Sequence, residues 1–220
     1  MLKVIGSALS PWVRRVIICL EEKGIAYEHE DFFPVGDLSA EFQRKSPLGL
    51  VPVLDTDQGS IADSTAICAY IEAAHPDPSL LPTDAYTRAR AAWICEYADA
   101  LFRHEGPLFF QQVVRGHLMG QEPDRLAVET AAAAVPRFLE YLDGELKDCD
   151  YFCGAEMTLA DITAASVLLN YLHTGAELDA TLYPDLDRFL ENMFDRPTFR
   201  ARIADDLKML AGISSLTMGR

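Results

Sequence analysis

Ser46-Pro47-Leu48-Gly49-Leu50-Val51-Pro52-Val53-Leu54 ends in a short strand, Val51 to Leu54, that a proline enters. A proline in a strand cannot donate to the ladder, so it belongs at a sheet edge or beside a ligand that replaces the missing partner. Two geometries satisfy the local sequence. A trans Val51-Pro52 bond makes an ordinary edge strand, whereas a cis bond turns the Val51 amide and carbonyl outward to pair with a peptide-like ligand. Downstream, Ser60 to Ala62 forms a second short strand across the turn residues 55–59, and Ser64 to Ala74 has helical periodicity. Upstream, Leu2 to Gly6 reads as a strand, Pro11 to Lys23 as a helix stopped by Gly24, and Ile25 to Phe32 as another strand. Residues 34–47 are polar and show no regular period. The order βαβ then ββα calls for a right-handed parallel crossover followed by an antiparallel hairpin on the same sheet. That is a small α/β domain.

The periodicity breaks at His75-Pro76-Asp77-Pro78 and Leu81-Pro82, where three prolines in seven residues make an extended connector. The expected organisation is an α/β domain over 1–76, a linker over 77–84 and an all-α domain over 85–220. In the second domain, Ala-rich amphipathic runs predict helices over 84–103, 122–147, 159–173 and 185–195, with a last one near 197–210. Thr158-Leu159-Ala160-Asp161 is a capping-box variant at one of these starts, flanked by Met157 and Ile162 as a hydrophobic staple. It is a folding device, not a catalytic site.

Composition narrows the function. Half the residues are hydrophobic and 24% are charged, as in a globular chain. The 19 Lys and Arg against 34 Asp and Glu give a net charge of −15, which repels phosphate backbones and argues against nucleic acid as a partner. A small anion responds instead to local amides and helix ends, so the acidity does not exclude one. The segment Met1 to Trp12 lacks the basic flank, long apolar core and cleavage site of a signal peptide, and no run approaches a membrane span. A soluble, cytoplasmic protein without membrane association is expected. Cys19, Cys68, Cys95, Cys149 and Cys153 show no CxxC pair or zinc spacing, and the five histidines show no metal motif, so reduced thiols and no metal are expected. Cys149 and Cys153 are the one closely spaced pair, and their redox state stays open.

Two further places carry candidate chemistry. Ser10 precedes Pro11 and reads as a helix N-cap, with its hydroxyl beside the helix's free amides. Capping alone explains it, since one serine specifies no reaction. Asp63-Ser64 lies where the last strand feeds the next helix, so that an incoming anion would meet free amides and the helix dipole. Asp63 reads equally well as a cap neighbour.

Taken together, Ser10-Pro11-Trp12-Val13-Arg14-Arg15-Val16, Ser46 to Leu54 and Asp63-Ser64, in this order and spacing, resemble the glutathione S-transferase family. The likeness runs through the Thr158-x-x-Asp161 cap to the Tyr183-Pro184 and Arg196-Pro197 breaks. It implies a thioredoxin-like N-terminal domain, a helical C-terminal domain, a detoxifying transferase that uses glutathione as co-substrate, and in most members a homodimer. It also implies roles. Val51 would pair with the cysteinyl backbone, Pro52 would be cis, Asp63 and Ser64 would hold the γ-glutamyl end, and Lys45 is the candidate for the glycyl carboxylate. Ser10 takes the place from which serine-type members stabilise the thiolate, and cysteine-type thiol transfer is disfavoured because Cys is absent there. Trp12, Phe102, Phe109 and Phe110 are candidates for the pocket of a small hydrophobic electrophile, and Asp99 for a contact with a partner subunit's glutathione. The reaction would be conjugation, or a related isomerisation, dehalogenation or peroxide reduction. The alternative is a non-catalytic binding or assembly module of the same fold. Two positions depart from the family: Leu50 stands where Lys or Gln is common, and Asp63 where the longer Glu is.

Overall fold

The computed structural model describes residues 1–34 and 38–217. The chain divides into two compact units, Met1–Pro82 and Thr83–Arg220.

The first unit is a four-stranded sheet of order β2-β1-β3-β4, with β1 at Leu2–Ile5, β2 at Tyr27–Glu30, β3 at Val53–Thr56 and β4 at Gly59–Ala62. β1 pairs parallel to β2 and antiparallel to β3, and β3 and β4 form the hairpin. Helix α1, Pro11–Glu22, makes the crossover. Its face Val13, Val16, Ile17 and Leu20 is buried together with Ile67 and Ile71 of α3, Ser64–Ala74. A third helix, α2 at Ala40–Lys45, occupies part of the stretch in which the sequence shows no period. Six residues are under two turns, too few to display one, and its one buried side chain, Phe42, joins a cluster with Ile5 and Val53. Val51 begins no strand; β3 starts two residues later, beyond Pro52.

The connector is fastened by a buried charge. Lys23 Nζ lies 2.7 Å from Glu72 Oε1 and donates to the carbonyls of His75, at 2.9 Å, and Pro78, at 2.5 Å. Glu72 in turn accepts the Leu80 N–H at 3.2 Å. A buried ion adds little net stability by itself, yet leaving one partner alone is costly, so the pair fixes where the connector lies against the ends of α1 and α3.

The second unit is helical. It runs α4 (Ala85–Phe109), a π-helical segment (Phe110–Leu118), α5 (Arg125–Ala134), α6 (Pro136–Glu145), α7 (Leu159–His173), α8 (Pro184–Asp195) and α9 (Pro197–Thr217). Every residue of α7 from Leu159 to Asn170 is buried, as expected of the helix at the centre of a bundle. Its capping box is complete and reaches further than the sequence suggests. Asp161 accepts from the Thr158 N–H at 2.7 Å, the Thr158 hydroxyl at 2.9 Å and the Phe152 N–H at 2.9 Å. Two features differ from the periodicity. The run over 122–147 is two helices, divided at Val135–Pro136 because Pro136 lacks the N–H that would continue the first. The first long helix passes beyond residue 103 and holds Pro107, after which the ladder widens, shown by Met119 N–H bonding to Val114 O at 2.9 Å. Among the described residues, no helix is long and apolar enough to cross a membrane.

Candidate functional site

Ser10 is the N-cap of α1. Its backbone is extended, Pro11 fills the first helical position, and its Oγ accepts the Val13 N–H at 3.5 Å. That bond is long, and it uses an oxygen lone pair only. The hydroxyl proton is left over for an acceptor that approaches the helix end.

Gly6 brings the second motif to the first. Its φ of +144° lies where only glycine is at ease, and a Cβ placed there would meet Val13 Cγ2 at 2.6 Å and Val51 Cβ at 2.8 Å. The end of β1, the first turn of α1 and Val51 are thus in direct contact. The Val51-Pro52 bond is cis. Among the described residues, nothing pairs with the Val51 amide or carbonyl. Its side chain packs on Ile5, Phe42 and Val53, leaving the backbone as its polar face.

The third motif joins through a residue that the sequence reading quoted without assigning a role. Arg15 is buried, and its guanidinium donates to the hydroxyls of Ser64 and of Thr65, the latter at 3.1 Å, across about fifty positions of sequence. A cation therefore stands behind the N-terminus of α3, adding to the helix dipole in favour of an anion. The signal was present in Pro11-Trp-Val-Arg-Arg-Val-Ile-Ile-Cys-Leu20, because arginines inside an apolar helix are buried only when paired. Asp63 is the N-cap of α3, its carboxylate accepting the Thr65 N–H at 2.7 Å. Its φ of +75° is unusual for a residue with a side chain and costs on the order of 1–3 kcal/mol, a strain that clusters at functional positions.

The remaining candidates are divided between the two units. Lys45 forms an ion pair with Asp55 at 2.6 Å. Trp12 is half-buried on α1 of the first unit. In the second unit Phe102 is half-buried, Phe109 is in the core, Phe110 is exposed and Asp99 is half-buried. None of the five cysteines is in a disulfide. The Cys19 thiol is raised by its hydrogen bond to Cys68 and by burial, and the Cys153 thiol by burial. Among the described residues, no cluster of His, Cys, Asp and Glu could hold a metal.

A thioredoxin-like sheet followed by a helical bundle, with a capping serine, a cis-proline segment and a serine-led helix on one α/β unit, defines a class of two-domain α/β plus α protein. Residues 4–79 match the family model for the glutathione S-transferase N-terminal domain, and residues 105–197 match that for its C-terminal domain. Glutathione S-transferase 3 of Zea mays is 32% identical over 208 residues, spanning 92% of this chain and 93% of the relative. The crystal structure of a glutathione S-transferase from Rhodospirillum rubrum F11 superposes with a TM-score of 0.83 at 29% identity, covering 92% and 91% of the two chains. One from Methylobacterium radiotolerans, in complex with glutathione sulfonate, gives 0.77 at 28% identity, covering 91% and 93%. The chain belongs to the glutathione S-transferase family, a family of enzymes.

Proposed function

We propose that Ser10 stabilises the thiolate of bound glutathione for attack on a small hydrophobic electrophile. The observation that carries this reading is the geometry of the cap: the Ser10 oxygen accepts from Val13 N–H, so its O–H is available to donate, and the positive end of α1 lies behind it. The hydroxyl does not ionise. A free thiol titrates near pH 8.5, and lowering that by about two units takes about 3 kcal/mol of preferential thiolate stabilisation, within reach of one hydrogen bond to an anion plus a helix dipole. The thiol proton leaves to solvent. The thiolate then forms a C–S bond, and with an aryl chloride the halide departs with the bonding pair.

The rest of the unit supplies the grip. The Val51 amide and carbonyl, ahead of cis Pro52, pair with the cysteinyl backbone as an added strand would. Ser64 and the free amides of α3, reinforced by Arg15, receive the γ-glutamyl carboxylate, and Asp63 its ammonium. The protein works in the cytoplasm as a homodimer.

Conjugation of a chlorinated nitrobenzene tests the assignment. Ser10→Ala is expected to lower kcat/KM by roughly a hundredfold, the loss of about 3 kcal/mol, with glutathione affinity within about threefold of wild type. Full activity in that variant, with glutathione still bound, contradicts it. A non-catalytic assembly module predicts something else: no thermal stabilisation by millimolar glutathione.

A further inference from the structure

We propose that Cys19 and Cys68 form a buried dithiol that a small peroxide converts into a disulfide between α1 and α3, and that this bond weakens binding at the start of α3. The first half stands on the two thiols alone. The second rests on the glutathione reading above and deepens it into a regulation of that site.

Three buried polar contacts join α1 to α3 at intervals of one helical turn. Arg15 reaches Ser64, Cys19 shares a hydrogen bond with Cys68, and Lys23 pairs with Glu72 at 2.7 Å. Each step adds four residues on both helices, so the two run side by side in the same direction and the outer contacts fix the register of the middle one. The outer contacts are a cation on a hydroxyl and an ion pair, and fastening accounts for both. The middle contact is different in kind. Both cysteines are buried beside Val16, Leu20, Ile67 and Ile71, where a small apolar side chain would pack as well. What two thiols add there is chemistry: they are held sulfur to sulfur, the arrangement that disulfide formation needs.

The pair is also unequal. Cys68 is lowered by its hydrogen bond with Cys19 and, against its burial, by the Arg15 guanidinium, while Cys19 is raised by the same hydrogen bond and by burial. Cys68 is therefore the thiol that reacts and Cys19 the one that resolves. The Cys68 thiolate attacks one peroxide oxygen and the O–O bond breaks, leaving a sulfenic acid and a hydroxide that takes up the proton Cys68 released. The Cys19 sulfur then displaces the sulfenic hydroxyl, which leaves with the Cys19 proton as a second water. Two thiols lose two electrons and one peroxide becomes two waters. The bond draws the helices together at the middle contact more closely than a hydrogen bond does. Arg15 and Ser64 lie one turn before Cys19 and Cys68, so the guanidinium shifts against the first turn of α3 that it supports.

Peptide mapping by mass spectrometry tests the bond, on native wild-type protein treated with hydrogen peroxide and then blocked at its remaining thiols. A Cys19–Cys68 cross-link, reversed by dithiothreitol, is expected as the main product. Pairing governed by chain proximity alone favours Cys149 with Cys153, four residues apart, over a pair forty-nine apart. A Cys149–Cys153 bond as the main product, or Cys19 and Cys68 unmodified, overturns the proposal. Cys19→Ser is expected to hold a sulfenic acid at Cys68 that dimedone traps, and its absence overturns the order of attack. The coupling is read by calorimetry with S-methylglutathione, which cannot reduce a disulfide. Affinity about tenfold weaker in the oxidised protein, recovered on reduction, is expected. Equal affinity in the two forms overturns the coupling and leaves the glutathione reading intact. Binding to neither form removes that reading and the coupling with it, while the cross-link stands on its own mapping.

Discussion

At the scale of single residues, two polar groups show how an ordinary folding device acquires chemistry. Ser10 caps α1 with an oxygen lone pair and keeps its proton, so in the proposed mechanism one hydroxyl serves as cap and as thiolate donor. Its capping role was legible from Ser-Pro alone, and the chemistry only in company with Val51-Pro52 and Asp63-Ser64. Arg15 was legible as an anomaly and not as a role, because its partners on α3 are distant in sequence. Lys cannot present the same planar fork, so Arg15→Lys is predicted to weaken glutathione about tenfold by calorimetry. Unchanged affinity would reduce Arg15 to packing. Asp161 makes the contrasting case. Burial pushes its carboxyl up to about 6, against hydrogen bonds from Phe152 and Thr158 that hold it down. Because that lies above the unfolded value of 3.8, the folded chain holds the extra proton between the two. The stability from this group is therefore present below pH 4 and lost as pH rises through 6. Asp161→Asn, neutral throughout, is predicted to show its largest deficit against wild type below pH 4. By pH 7 the gap narrows by about 2 to 3 kcal/mol in urea unfolding, and a gap that widens instead contradicts the raised carboxyl.

At the scale of elements, regular period decided what could be read in advance. Strands β1 to β4 and helices α1, α3 and α7 carry long or well-capped patterns and stand within two or so residues of their expected bounds. The short α2, the break at Pro136 and the π-helical segment do not announce themselves, since each is a local change in the hydrogen-bond ladder and not a change of amphipathic face. Gly6 is the hinge point of the site at this scale, because three elements touch through its missing side chain. Gly6→Ala is predicted to destabilise the protein by roughly 3 kcal/mol, from the contacts with Val13 and Val51 together with the disallowed φ. Glutathione affinity should fall with it, since Val51 must move. Thermal unfolding and a glutathione titration read both effects, and an unaltered melting temperature would mean that the backbone relaxes freely there.

At the scale of the molecule, the division into an α/β unit and a helical unit follows from the proline cluster, and Lys23 with Glu72 explains why that connector has a defined course. Assembly is a prediction of the same scale. Light scattering is expected to give twice the 24.4 kDa chain mass, and a monomer would contradict the homodimer. The central claim, however, concerns a proton. Ultraviolet difference titration of glutathione bound to the wild-type protein reads the thiolate directly, and the account predicts that it forms about two pH units below the free thiol, with Ser10→Ala restoring most of the difference. A bound thiol that titrates near 8.5 in the wild type, or one whose lowered value survives loss of the Ser10 hydroxyl, contradicts it.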